Sequence, residues 1–150
     1  MVDDTPVELY FEDIAPGARY DSGTATVTEE SIARFDLEFG LPEADGSRDQ
    51  RRSAASSYVA SITMRLLVES GFRPAGGIQG SGIDDLRWPN PVRAGDVLRI
   101  SSEVLETRRS RSRPEKGIVR VRTTTLNDRN APVQTMTAHV LVPCRASDAA

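Results

Sequence analysis

The chain has 150 residues, 19 basic against 22 acidic side chains and a formal net charge of −3. That length suits one domain with a core of its own, and the acidic balance argues against nucleic acid as the first partner to consider. The single cysteine, Cys144, excludes an internal disulfide and fits a reducing compartment.

The first residues, MVDDTPVELYFED, lack a basic stretch followed by an apolar run, so no secretory signal is expected. Residues 1–9 and 146–150 read as loose ends of a single domain spanning 1–150. Residues 18–27 (ARYDSGTATV) predict a first strand. Thr28 then suits an N-cap, because its hydroxyl can accept an unpaired backbone N–H, and Glu29 and Glu30 suit the positive end of a helix. That helix is expected to run to about Phe39 and to stop at Gly40 and Pro42. Residues 41–52 (LPEADGSRDQRR) form a charged loop.

The segment from Ala54 to Val68 (AASSYVASITMRLLV) has one charge, Arg65, and small or apolar residues on almost every side. That pattern predicts a helix buried in the core and enclosed by sheet. It is too short and too rich in hydroxyls for a membrane span, so a cytoplasmic protein without a membrane partner is expected. Ser53 is the expected cap, Gly71 with Pro74 the expected stop, and Arg65 and Glu69 are spaced to pair.

Three strands follow with period-two alternation. Leu98, Ile100 and Val104 share a face in 97–105. Val119 and Val121 oppose Arg120 and Arg122 in 118–126. Met136, Ala138, Val140 and Val142 line one face of 133–142. Long antiparallel strands around one apolar helix imply an α+β domain. The outer face of such a sheet, with an edge at 80–88, suits a second copy of the chain.

The phrase PVRAGDVL (91–98) has its own physical reading. Pro91 and Gly95 fix a tight turn, and Asp96 can satisfy backbone donors within it. With GIDDLRWP (82–89) before it, SRSRPEKGIV (110–119) after it, the opening YFEDIAPGARY (10–20) and the helix end ITMRLLVE (62–69), the phrase resembles the MaoC-like hydratase family of hot-dog proteins, over roughly residues 9–143. The resemblance implies an antiparallel sheet wrapped around one long helix, and dimers or dimers of dimers. It also implies hydration of 2-enoyl thioesters or dehydration of 3-hydroxyacyl thioesters. Coenzyme A would be part of the substrate, with no other cofactor.

Adding water to a conjugated thioester needs a base for water, an acid for the α-carbon and donors for the enolate oxygen. The resemblance implies that the first two come from an Asp and a His in a DPxxxH-like pattern in the loop before the long helix. Here that loop holds no histidine. If Pro42 is the pattern's proline, Leu41 stands in the aspartate's place and Gly46 or Ser47 near the histidine's. The carboxylates in or near the loop are Asp36, Glu38, Glu43, Asp45 and Asp49; each reads either as surface charge or as a lone base, with Glu43 and Asp45 closest to the lost motif.

The only histidine, His139, alternates with Thr135, Thr137 and Leu141 opposite the apolar face of its strand. It reads as a solvent-side or dimer-side residue, or as a catalytic histidine brought from another strand. No His or Cys partner suggests a metal. Ser56, Ser57 and Tyr58 either line an acyl pocket beside the helix N-terminus or cap and pack its first turn. Arg111 and Arg113, with Arg108, Arg109 and Lys116, either hold a coenzyme A phosphate or form a solvated loop. Three functions remain open: a hydratase or dehydratase of acyl-CoA thioesters whose Asp/His pair is lost, a non-catalytic acyl-CoA-binding or partner subunit, and an acyl-CoA thioesterase.

Overall fold

The computed structural model describes residues 7–40 and 53–146. Six strands, β1 (Arg19–Asp21), β2 (Ala25–Thr26), β3 (Gln79–Arg87), β4 (Val97–Arg109), β5 (Lys116–Leu126) and β6 (Pro132–Pro143), form one antiparallel sheet. The order is β1-β4-β5-β6-β3, with β2 also on β4. Two helices, α1 (Glu29–Glu38) and α2 (Ser56–Glu69), complete the fold. This is the α+β hot-dog arrangement that the sequence implies.

The long strands form because their alternation puts Leu98, Ile100, Val104, Val119, Val121, Val140 and Val142 on one buried face. The buried side of α2, Tyr58, Val59, Thr63, Leu66 and Leu67, joins that core. The dry face also holds polar residues. Thr63 Oγ1 meets Thr125 Oγ1 at 2.6 Å, and Ser102 Oγ meets Thr123 Oγ1 at 3.0 Å. Each hydroxyl satisfies another, which removes most of the cost of burying it.

The expected first strand is two short pieces. Ser22 leaves the strand conformation, and its Oγ accepts the Ile100 N–H at 2.9 Å. Thr28 caps α1 as expected, accepting the Ser31 N–H at 3.0 Å. The stop of α2 is Ser70 rather than Gly71. Ser70 is extended, and its buried Oγ donates to Leu67 O at 2.6 Å and accepts the Phe72 N–H. Arg65 and Glu69 pair at 3.4 Å on the surface.

The expectation that α2 is enclosed needs correction. Met64 is 41% exposed and Val68 52%, and Ser57 and Ser61 are exposed as well. The sheet is a single layer, so among the described residues it covers one side of the helix and leaves the other open.

Hydrogen bonds hold Leu9 and Arg145 to the body of the fold. Leu9 donates to Arg73 O at 2.7 Å and accepts from the Ala75 N–H at 2.8 Å. Arg145 closes a clasp at the opposite terminus: its guanidinium takes both Asp13 oxygens at 2.7 Å and lies over the Tyr10 ring, and its backbone N–H donates to Glu12 Oε2 at 3.0 Å. These bonds hold the Glu12 and Asp13 carboxyls below the usual carboxylate range.

Candidate active site

The turn 91–96 sets the start of α2. Gly95 has φ +97°, a conformation that favours glycine. Asp96 Oδ2 accepts the Arg93 N–H at 3.0 Å, as expected for a turn-fixing aspartate. The Gly95 N–H donates to Val27 O, and the Val27 N–H to Asp96 O, each at 2.8 Å. The turn is thereby tied to the strand end that leads into α1. On its other side Ser53 bridges to Arg93, and the Ala54 N–H donates to Val92 O at 2.7 Å.

That tether explains why Ser53 does not cap α2. Ser53 and Ala54 are drawn into strand-like pairing, and Ala55 becomes the N-cap with no side-chain hydrogen bond. Intrahelical bonding begins with the Val59 N–H to Ala55 O at 3.1 Å. The N–H groups of Ser56, Ser57 and Tyr58 make no hydrogen bond among the described residues. An uncapped first turn offers free donors and the positive end of the helix dipole. Such donors suit an oxygen that gains negative charge.

Tyr58 is buried, and its ring meets Phe35 edge-on with centroids 5.4 Å apart. Its hydroxyl lies 2.8 Å from Ser31 Oγ. Ser31 Oγ gives its own proton to Thr28 O at 2.9 Å, so Tyr58 is the donor of the pair. The ring then walls a pocket of about 250 Å³ with Ser31, Arg34, Phe35, Glu38 and Phe39. Three of its six lining residues, Phe35, Phe39 and Tyr58, are aromatic, which suits an apolar acyl group.

The other residues singled out in the sequence scatter. Ser56 and Ser57 are exposed on the first turn of α2 and contribute backbone rather than pocket wall. Glu38 lies on the pocket rim and Asp36 is buried on α1. Glu43, Asp45 and Asp49 lie outside the described residues. Arg111 and Arg113 sit at the tip of the β4–β5 hairpin, beyond Arg109. The α2 N-terminus lies near the other end of β4, which at 13 residues is about 40 Å long. Within one chain the fold therefore does not bring the two groups together.

His139 lies on the outer side of the sheet, away from α2, where its register partner on β5 is Arg120. Its Nε2 is 2.6 Å from Asp84 Oδ2 on the edge strand β3. The sequence reading missed Asp84. The pairing comes from the β3–β6 register, across 55 positions of chain, and no local pattern signals it.

A family model described as mesaconyl-CoA hydratase matches residues 43–150. No curated protein matches the chain. Among solved structures, the MaoC-like dehydratase from Rhodospirillum rubrum is 42% identical, with a TM-score of 0.83 over 92% of this chain and 99% of that one. An (R)-hydratase from Pseudomonas aeruginosa, solved unliganded, is 21% identical, with a TM-score of 0.71 over 92% and 88% of the two chains. A Mycobacterium tuberculosis protein with a double hotdog fold is 16% identical, with a TM-score of 0.74 over 94% of this chain and 46% of its own. The last two are likenesses of fold alone.

Proposed function

The chain belongs to the MaoC-like dehydratase family, and from that premise we propose that it binds acyl-CoA thioesters at the N-terminus of α2 and adds or removes water across the bond next to the thioester carbonyl. In the hydration direction the water oxygen bonds to the β-carbon and a proton goes to the α-carbon. The negative charge passes through the carbonyl oxygen, where the Ser56, Ser57 and Tyr58 amides would receive it. The observation that carries this reading is the uncapped first turn of α2 beside the aromatic pocket. Glu43 and Asp45 are the first candidates for moving the proton.

A second reading has an observation of its own. Residues 41–52 hold no histidine, and the chain's sole histidine faces away from α2 and pairs with Asp84. A non-catalytic acyl-CoA-binding subunit fits that loss. In either case we propose a homodimer or a dimer of dimers, because the edge strand β3 and its neighbour Trp88 leave Ile83, Leu86 and Trp88 exposed. Cys144, a free thiol, favours the cytoplasm.

A short 2-enoyl-CoA separates the readings. Loss of the conjugated absorbance supports the hydratase. No loss at high protein concentration, together with a raised melting temperature, supports the binding subunit. Free thiol released from a saturated acyl-CoA assigns a thioesterase instead. No turnover and no thermal shift with any acyl-CoA at millimolar concentration overturns the thioester reading itself.

A further inference from the structure

A cavity of about 560 Å³ lies at the C-terminal end of α2. Val68, Phe72, Pro74 and Ile78 give it an apolar wall, with Glu8 and Arg73 beside them. α2 has 14 residues, so this cavity is about 20 Å from the free amides of the first turn and stands apart from the candidate active site. Glu8 comes from the segment 7–13, which precedes β1. Three attachments hold that segment. Leu9 pairs with the backbone of 73–75, giving its N–H to Arg73 O and taking the Ala75 N–H. The Phe11 ring fills the space that a Cβ on Gly117 of β5 would need. The Arg145 clasp grips Asp13 and Glu12, and Arg109 of β4 adds a 3.7 Å contact to Glu12. From the next residue onward the chain is fixed: Ile14 is buried in the core, and the Gly17 N–H donates to Val104 O at 2.8 Å.

We propose that residues 7–13 are a strap that opens while the sheet stays folded, with the Arg145 clasp as its latch and the apolar wall of the cavity as what it uncovers. The attachments differ in kind. Leu9 and Phe11 are half-buried and pack against the core cluster that contains Phe72, so lifting them bares that cluster at the cavity. The clasp lies in water, with the Arg145 side chain 54% exposed, and exposed ion pairs are weak and screened by salt. It nevertheless controls the seat of Phe11. Asp13 Oδ2 accepts both the Arg145 guanidinium and the Tyr10 N–H, and the second bond closes the 3₁₀ turn Phe11–Asp13. Losing the latch therefore loosens the turn that sets Phe11 on Gly117. A segment held by a few half-buried contacts and exposed polar bonds opens ahead of the core. Ile14, buried where the strap joins the body, is its hinge.

Hydrogen exchange in the full chain tests the strap. The Leu9 and Ala75 amides are bonded only when the segment is seated. They should exchange at one shared rate, faster than the amides of β5 and β6. That rate should change little in mild urea, because the opening exposes little surface. Arg145→Gln, at a surface position, should speed both amides about fivefold, and Phe11→Ala should speed both through a different attachment. Raising salt from about 0.05 M to about 0.5 M should speed them in the unmodified protein and less so in Arg145→Gln; this arm needs no variant to fold. The dye anilinonaphthalene sulfonate, which brightens on exposed apolar surface, should brighten as the two amides speed up. Leu9 and Ala75 amides that exchange no faster than those of β5 and β6 overturn the strap. Rates unchanged by Arg145→Gln and by salt overturn the latch. Faster exchange with no brighter dye overturns the uncovering of the cavity wall.

Discussion

Tyr58→Phe separates two roles that one side chain could have. The hydroxyl is the donor to Ser31 Oγ, which also accepts the Thr28 N–H and donates to Thr28 O. Removing it leaves Ser31 with two partners and no buried donor unmet, so the cost belongs at the ordinary value for a hydrogen bond, about 1 kcal/mol. For a chain of this size that lowers the melting temperature by about 2–4 °C. The ring still meets Phe35 and still walls the 250 Å³ pocket. Acyl-CoA affinity should therefore stay within about twofold of the unmodified protein, a few tenths of a kcal/mol. Tyr58→Leu removes the aromatic wall as well; it should cost about 3 kcal/mol and shift the preferred acyl chain length. Thermal melts and calorimetric titration against a series of acyl-CoAs read both quantities. A Tyr58→Phe protein that melts normally but loses tenfold or more in affinity or turnover would show that the hydroxyl contacts the ligand, and the donor assignment to Ser31 would be wrong.

Gly117 faces Phe11 so closely that a Cβ there would fall inside the ring; Gly117→Ala should cost about 1–3 kcal/mol, and adding Phe11→Ala should make the alanine at 117 nearly neutral in a double-mutant melt. Thr63→Val leaves Thr125 Oγ1 without its 2.6 Å partner and should cost about 1–3 kcal/mol, whereas Thr63→Val with Thr125→Val should recover most of it; equal losses in single and double variants would refute the pairing. The terminal clasp predicts a pH dependence. Hydrogen bonds from Arg145 lower the Glu12 and Asp13 pKa values from 4.5 and 3.8, so the clasp's contribution is whole above those values and fades as pH falls through the lowered ones. Melts between pH 7 and pH 3 should show this fall, and Arg145→Gln should flatten it.

The legible parts of the fold are those set by neighbours in the chain. Thr28, Glu29 and Glu30 announce α1, and the alternation in β4, β5 and β6 marks their dry faces. The misreadings come where a distant partner decides. The alternation predicts an end of β4 at residue 105; a register shift between Val104 and Glu106 breaks the alternation there, and the strand continues against β5 to Arg109. Ser102, Thr123 and Thr125 share the parity of those dry faces; the partners that satisfy them there, Thr123 for Ser102 and Thr63 for Thr125, come from other elements and leave no local signal. Ser53 has the side chain of a cap, but it bridges to Arg93 instead.

The same logic governs where positive charge can act. In the sequence, the run Arg108 to Lys116 is the obvious cationic feature, and the single arginines of the turn 91–96 and of the 127–131 hairpin draw no attention. Antiparallel register decides which of them lies near the start of α2. Residues 127–131 connect β5 to β6 at the end where Leu126 pairs with Arg99 and Val97 begins β4. The Val97 N–H lies 3.4 Å from Asp128 Oδ1, and Arg99 Nη2 donates to Asn130 Oδ1 at 2.7 Å, which pins that hairpin beside the turn that launches β4. The turn is in turn fixed to Ser53 and Ala54, just before α2. Chain reversal at the β4–β5 tip places the arginine run at the opposite end. A charge in this fold is therefore relevant to the α2 amides according to which end of the sheet its loop closes, and density of arginine in the sequence is no guide to it.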